Sequence, residues 1–169
     1  MIYALTGVPG SGKSSVAGEL EGRGYDVVRF EDLSAGAVSG YDAEADSRIV
    51  DVEKVKLRSK PDIVVGHLAH ELDVDAIIVL RADPSLIEER LRARGYSEKK
   101  VKENAEAEAM DVITIESLER GKAVYEVDTS GMSIREVADR VEEIIKGGVD
   151  KRKYAPGKVD FSSYILEGY

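Results

Sequence analysis

Short apolar runs and longer amphipathic stretches alternate along the chain. Met1–Thr6, Ile63–His67 and Asp75–Arg81 each carry a brief apolar run with the length and composition of a buried strand, and Tyr25–Phe30 and Ala123–Asp128 read as two further strands. Between them apolar positions recur at helical spacing: Val16, Ala17 and Leu20; Leu86, Ile87 and Leu91; Val101, Ala105, Ala109 and Val112; Val137, Val141, Ile144 and Ile145. Asp83-Pro84 reads as N-cap and first helical residue, Ser97 caps one long helix, and Ser133 with Glu136 has the form of a capping box. Asp51 to Ser59 predicts a further helix, stopped by Pro61. Strands alternating with helices predict an α/β domain with a five-stranded parallel sheet flanked by helices and joined by right-handed crossovers. Ligands of such sheets sit beyond the carboxyl ends of the strands. That edge holds Gly7–Ser14, Glu31-Asp32, His67 and Arg81 to Asp83.

Two stretches break the pattern. Glu31 to about Ser47 is rich in small residues, with Gly36, Gly40 and an acidic cluster at Asp42, Glu44 and Asp46, and reads as a mobile insertion outside the core. Gly147 to Tyr169 carries Lys151-Arg-Lys153, the break Pro156-Gly157 and the aromatics Tyr154, Phe161, Tyr164 and Tyr169. Disordered tails are poor in aromatics, so this one either docks on its own acidic body or meets a partner.

The chemistry lies in the first strand-to-helix turn. Gly7-Val-Pro-Gly-Ser-Gly-Lys13-Ser14 satisfies every fixed position of G-x-x-x-x-G-K-[ST], in the strand–loop–helix setting that makes this pattern a phosphate site. Its glycines let backbone N–H groups converge on an anion, and the helix start adds the positive end of its dipole. Lys13 reaches the β- and γ-phosphates, the Ser14 hydroxyl ligates Mg²⁺, and Ser15 donates to the α-phosphate. Gly10, Ser11, Gly12, Lys13, Ser14 and Ser15 form the expected contact set for ATP.

The 169 residues suit one domain, and no apolar run is long enough to span a bilayer. No secretory signal is evident and there is no cysteine, so a cytoplasmic protein without disulfide or thiol chemistry is expected. A net charge of −9 argues against a grip on naked nucleic acid and favours either simple solubility or a basic protein partner. A Ras-type guanine-reading N/T-K-x-D is absent, and small kinases of nucleotides or metabolites remain.

The run Arg90-Leu-Arg-Ala-Arg94-Gly-Tyr-Ser-Glu-Lys-Lys-Val-Lys-Glu-Asn104, preceded by Val79-Leu-Arg-Ala-Asp83, resembles the adenylate kinase isoenzyme 6 family, adenylate-kinase-like ATPases of eukaryotes with archaeal counterparts. Gly40-Tyr-Asp-Ala-Glu-Ala-Asp46 and Asp51 are similar to the same family, and the likeness spans about Ile2 to Ile145. The resemblance implies a P-loop nucleoside monophosphate kinase fold over residues 1–146, with a monophosphate-binding insertion at about 30–50, a short lid at 93–103 and a C-terminal tail at 147–169. It implies phosphoryl transfer from Mg·ATP to AMP, giving two ADP, and to water. It also implies a role in small ribosomal subunit maturation through a ribosomal protein of the uS11 type with a basic tail. Arg94 matches the lid arginine that contacts ATP.

Two positions depart from the family. Its Asp-x-x-His motif is Val64-Val-Gly-His67 here, so the histidine stays and the aspartate is lost. Asp62 lies five residues before His67, roughly 16 Å along a strand, and cannot substitute. Asp32, which matches the family's Gly-Asp-Leu segment, becomes the candidate to hold Mg²⁺ through water. Ala35 stands where an arginine for the acceptor phosphate is usual, and losing that donor weakens the case for efficient AMP phosphorylation. Lys13, Arg94, Asp32 and His67 are the candidate catalytic residues, with Arg90 a lesser one. A metabolic adenylate kinase without a ribosomal role, and a small-molecule kinase with a non-nucleotide acceptor, are the alternatives.

Overall fold

The first apolar run becomes β1 (Tyr3–Thr6), with all four residues buried at the centre of a parallel sheet. The computed structural model describes residues 1–44 and 47–168; Asp46 of the acidic cluster and Tyr169 lie outside them. β1 is followed by α1 (Lys13–Gly22), β2 (Val27–Arg29), α2 (Phe30–Ser34), β3 (Val38–Asp42), β4 (Ser47–Val50), β5 (Ile63–Val65), β6 (Ala76–Arg81) and α3 (Pro84–Ala93). Then come α4 (Glu98–Ala109), α5 (Val112–Glu119), β7 (Ala123–Asp128), α6 (Ile134–Lys146) and the short α7 (Ser163–Glu167). The five-stranded sheet runs β2-β5-β1-β6-β7, all parallel, while β3 and β4 form a separate antiparallel hairpin.

Strand alternation divides the core in two. Leu5, Ile63, Ile78 and Val127 face α1 and α6, where Val16, Leu20, Val141 and Ile144 meet them. Ala4, Val64, Ile77 and Val79 face the other way, onto Phe30, Leu72 and Val74. The helix starts follow their caps: Asp83 accepts from the Ser85 N–H at 2.8 Å, the Ser97 side chain caps α4, and Ser133 with Glu136 completes a reciprocal capping box.

Several elements differ from the reading above. The expected insertion at Glu31–Ser47 holds the short helix α2 and most of the β3–β4 hairpin, so Asp32 stands on a helix rather than ending a strand. Asp51–Ser59 forms only a tight turn at Val52–Lys54. Its apolar residues Val55 and Leu57 alternate with Lys54, Lys56 and Arg58 at period two, and both pack on the core as extended chain. The long helix after Ser97 is two helices, broken at Met110-Asp111 where Asp111 takes φ 57°.

Arg81 explains that break. Expected at the functional edge, it is instead 1% exposed beneath the helix junction. Its Nε donates to Glu108 Oε1 at 2.9 Å, Nη1 to Glu126 at 2.5 Å, and Nη2 to both the Glu108 carbonyl at 3.0 Å and Asp111 at 2.5 Å. The diverted Glu108 carbonyl also accepts the Asp111 N–H, three residues on, tightening the turn. Thr114 and the Ala82 N–H complete the set, and the Phe161 ring lies 5.7 Å from the guanidinium.

The C-terminal segment docks on its own body. Tyr154 is buried and donates to Glu143 at 2.5 Å, the Gly157 N–H reaches Glu126, and Tyr164 donates to Glu88 on α3. No helix among the described residues is long and apolar enough to cross a membrane.

Candidate active site

The loop Gly7–Gly12 leaves β1 at the carboxyl edge of the sheet and turns directly into α1. Gly12 caps that helix at φ 97°, a conformation L side chains rarely adopt, so the loop needs glycine there. Lys13 folds back over the loop, donating to the carbonyls of Gly7 and Val8 at 2.8 Å each. Burial, then the Arg94 charge, pull its ammonium down to about 7. Ser14 and Ser15 are exposed on the first turn of α1, while Ser11 is buried within the loop.

A cavity of about 470 Å³ opens in front of the loop. Its floor is Val8–Gly10, Gly12, Lys13 and Ser14, one wall is Arg29, Glu31 and Ser47, and another is Val65, Gly66 and His67. The rest of the lining comes from Arg94, Tyr96, α4 and Ile113. Four cations, Lys13, Arg29, Arg94 and Lys100, face two carboxylates, Glu31 and Glu103, so the cavity is a basic spot on an acidic protein.

The structure brings Gly10, Gly12, Lys13, Ser14, His67 and Arg94 to this one cavity. It does not bring Asp32 there: the residue lining the cavity from α2 is its neighbour Glu31. Asp62 is engaged elsewhere, accepting the Asp26 N–H at 2.8 Å. Arg90 donates to the Gly10 carbonyl at 2.8 Å, a support of the loop from α3. Ala35 ends α2 with an exposed side chain.

His67 lies two residues past β5, beyond Gly66, whose φ of 158° leaves no room for a side chain: a Cβ would stand 2.6 Å from Phe30 Cβ. Enclosure in the cleft, then the Lys13 charge, push the His67 imidazole down to about 4, so it is neutral near pH 7. The sequence reading passed over His70. That residue is fully buried, with Nδ1 2.9 Å from Thr6 Oγ1 and Nε2 2.8 Å from Glu116. With Glu71 the three side chains place potential ligand atoms within 4.8 Å. The Thr6 hydroxyl also lies 3.3 Å from the His67 carbonyl, linking the end of β1 to the His67 turn. Tyr96, Lys100 and Glu103 fall within the expected lid at 93–103, where only Arg94 was given a role, and Asn104 lies just beyond it; all four line the cavity. The signal was the i, i+3, i+4 spacing of polar residues on α4, which marks a second functional face beside the apolar one.

The comparisons agree with this geometry. Residues 4–111 match the family model described as an AAA domain. A protein of Archaeoglobus fulgidus named "Putative adenylate kinase" is 47% identical over 98% of this chain and 94% of its own length. One of the same name from Thermococcus gammatolerans is 44% identical over 99% and 96%. The chain belongs to this family. Membership makes it a phosphotransferase of the P-loop kinase class. Solved structures share the fold at low identity. Shikimate kinase from Acinetobacter baumannii, in complex with shikimate, superimposes with a TM-score of 0.59 at 14% identity, over 86% of this chain and 92% of that one. The YorR protein of Bacillus subtilis, in complex with phosphorylated GDP, gives 0.58 at 20%, over 86% and 96%.

Proposed function

We propose that the chain is an adenylate kinase-like ATPase, moving the γ-phosphoryl group of Mg·ATP to AMP, or to water when AMP is absent. The observation that carries this reading is the single cavity joining the phosphate loop, Arg94 and the α2–hairpin wall. Its relatives' name supports AMP as the acceptor. Residues 1–146 serve as the kinase body, 30–50 as the monophosphate-binding insertion, 93–103 as the lid and 147–169 as a tail.

In-line phosphoryl transfer needs positioning and charge neutralisation more than a strong base. The loop N–H groups and Lys13 hold the β- and γ-phosphates, and Arg94 covers the γ-phosphate. The donors present suit Mg²⁺, which binds through substrate phosphates, water and one or two protein oxygens. Ser14 supplies the hydroxyl, and Glu31 in the cavity takes the water-bridged place assigned from sequence to Asp32. Mg²⁺ when bound neutralises phosphate charge. Neutral His67 orients the acceptor or attacking water by a hydrogen bond, without adding charge.

For the physiological setting we propose small ribosomal subunit maturation through a basic ribosomal protein of the uS11 type. The net charge of −9 and the exposed acidic Asp42 and Glu44 beside Tyr41 and Ile49 on the hairpin support it. The test is titration of a synthetic basic tail of that ribosomal protein into the purified chain. Saturable binding that an Asp42→Asn, Glu44→Gln variant weakens is expected; no binding at low salt sinks the ribosomal role and leaves the kinase reading standing.

A further inference from the structure

Helix α4 presents three faces. Val101, Ala105 and Ala109 are buried in the body, with Glu108 held by Arg81. Lys99 donates to the Glu44 carbonyl at 3.2 Å and lies 4.0 Å from Glu103, and Lys102 lies 3.8 Å from Glu106; neither lines the cavity. The third face, Lys100, Glu103, Asn104 and Ala107, lines the cavity in front of the phosphate loop. So of three lysines that look equivalent in sequence, one alone among them enters the site.

Lys100 is also seated there. Its ammonium lies 5.5 Å from the centre of the Tyr96 ring, which lines the same cavity and offers a negative face. The Asn104 side chain donates to the Lys100 carbonyl at 2.8 Å, fixing the helical turn beneath it. The Lys100 charge is one of those disfavouring the imidazolium of His67, which lines the same cavity. Lys13 from the loop, Arg94 from the end of α3 and Lys100 from α4 thus approach one space from three elements.

We propose that Lys100 is a further catalytic residue, its ammonium contacting the transferring phosphoryl group from α4 while Lys13 contacts it from the loop. This rests on the phosphoryl-transfer reading above. A loose phosphoryl transition state spreads charge over three equatorial oxygens, and a cation fixed against it acts more strongly there than on the bound substrate. Lysine on a flexible stem serves as a point charge for such an oxygen.

The test compares Lys100→Met, Lys100→Arg, Lys102→Met and Lys13→Met with the parent chain. It measures ADP formation from Mg·ATP with and without AMP, and binding of ADP with and without fluoroaluminate, which mimics the transferring group. Lys100→Met should lower kcat about a hundredfold, in the range found for loss of one transition-state donor, with little change in KM. It should weaken the fluoroaluminate complex while leaving ADP binding unchanged, and Lys100→Arg should recover part of the loss. Lys102→Met should stay within about twofold of the parent. Thermal unfolding of the Lys100 variants near that of Lys102→Met shows that folding is intact. A Lys100→Met kcat equal to that of Lys102→Met, beside an inactive Lys13→Met, overturns the proposal alone. An active Lys13→Met overturns the phosphate-loop reading and this proposal with it.

Discussion

Arg90 donates to the carbonyl of Gly10 across 2.8 Å, tying the third helix to the middle of the phosphate loop. The contact spans 80 residues of sequence and uses a carbonyl acceptor, leaving the loop N–H groups to a phosphate. It couples the shape of the loop to α3.

Replacing Arg90 by methionine removes that charge-assisted bond and keeps most of the stem. ATP affinity should fall about five- to twentyfold, corresponding to roughly 1–2 kcal/mol. Equilibrium titration with a fluorescent ATP analogue checks this. Unchanged affinity would show that the loop holds its shape without α3.

Lys13 makes nucleotide binding pH-dependent. Burial and Arg94 hold its ammonium down to about 7, whereas a bound polyphosphate raises it. Below about pH 7 the lysine is already charged and affinity is full. As pH rises from 7 towards the raised value in the complex, binding must take up a proton, and affinity falls by up to about tenfold per pH unit. Calorimetry at pH 8 in two buffers of different ionisation enthalpy should show uptake of close to one proton. Lys13→Met should show none.

The Arg81 cluster is a stability element. Glu108 and Glu126 are 2% and 4% exposed, so removing Arg81 leaves two carboxylates without their cation in the interior. Arg81→Met should cost about 3–5 kcal/mol of unfolding free energy, measured by urea denaturation. The loss should be accompanied by loosening of the α4–α5 junction and the tail, seen as faster amide exchange around Asp111 and Gly157. A loss below about 1 kcal/mol would mean that the cluster is wet in solution.

Much of this was legible in the chain because its signals are local. The β1–loop–α1 unit, the five strands of the parallel sheet and the caps at Asp83, Ser97 and Ser133 depend on neighbours a few residues away, and all appear where the pattern puts them, with the edge strand β2 only half-buried. What was not legible depends on tertiary pairing. Arg81 looked like a strand-end functional cation, but its meaning comes from Glu108, Asp111 and Glu126, distant in sequence and joined only by folding. The same pairing breaks a helix that periodicity alone runs straight through. Asp32 and Glu31 are adjacent, and which one enters the cavity is decided by α2, a five-residue helix with little periodic signal. The aromatic content of the tail did carry information: Tyr154, Phe161 and Tyr164 each find a partner on the body.

The central claim is that one cavity transfers phosphate from ATP to AMP. It is tested most directly by incubating the purified chain with Mg·ATP and AMP labelled in its adenine ring, and following the label. The account predicts labelled ADP, formed in step with ATP loss by the parent chain and absent with Lys13→Met. Loss of ATP that yields only inorganic phosphate and leaves all the label in AMP would contradict it.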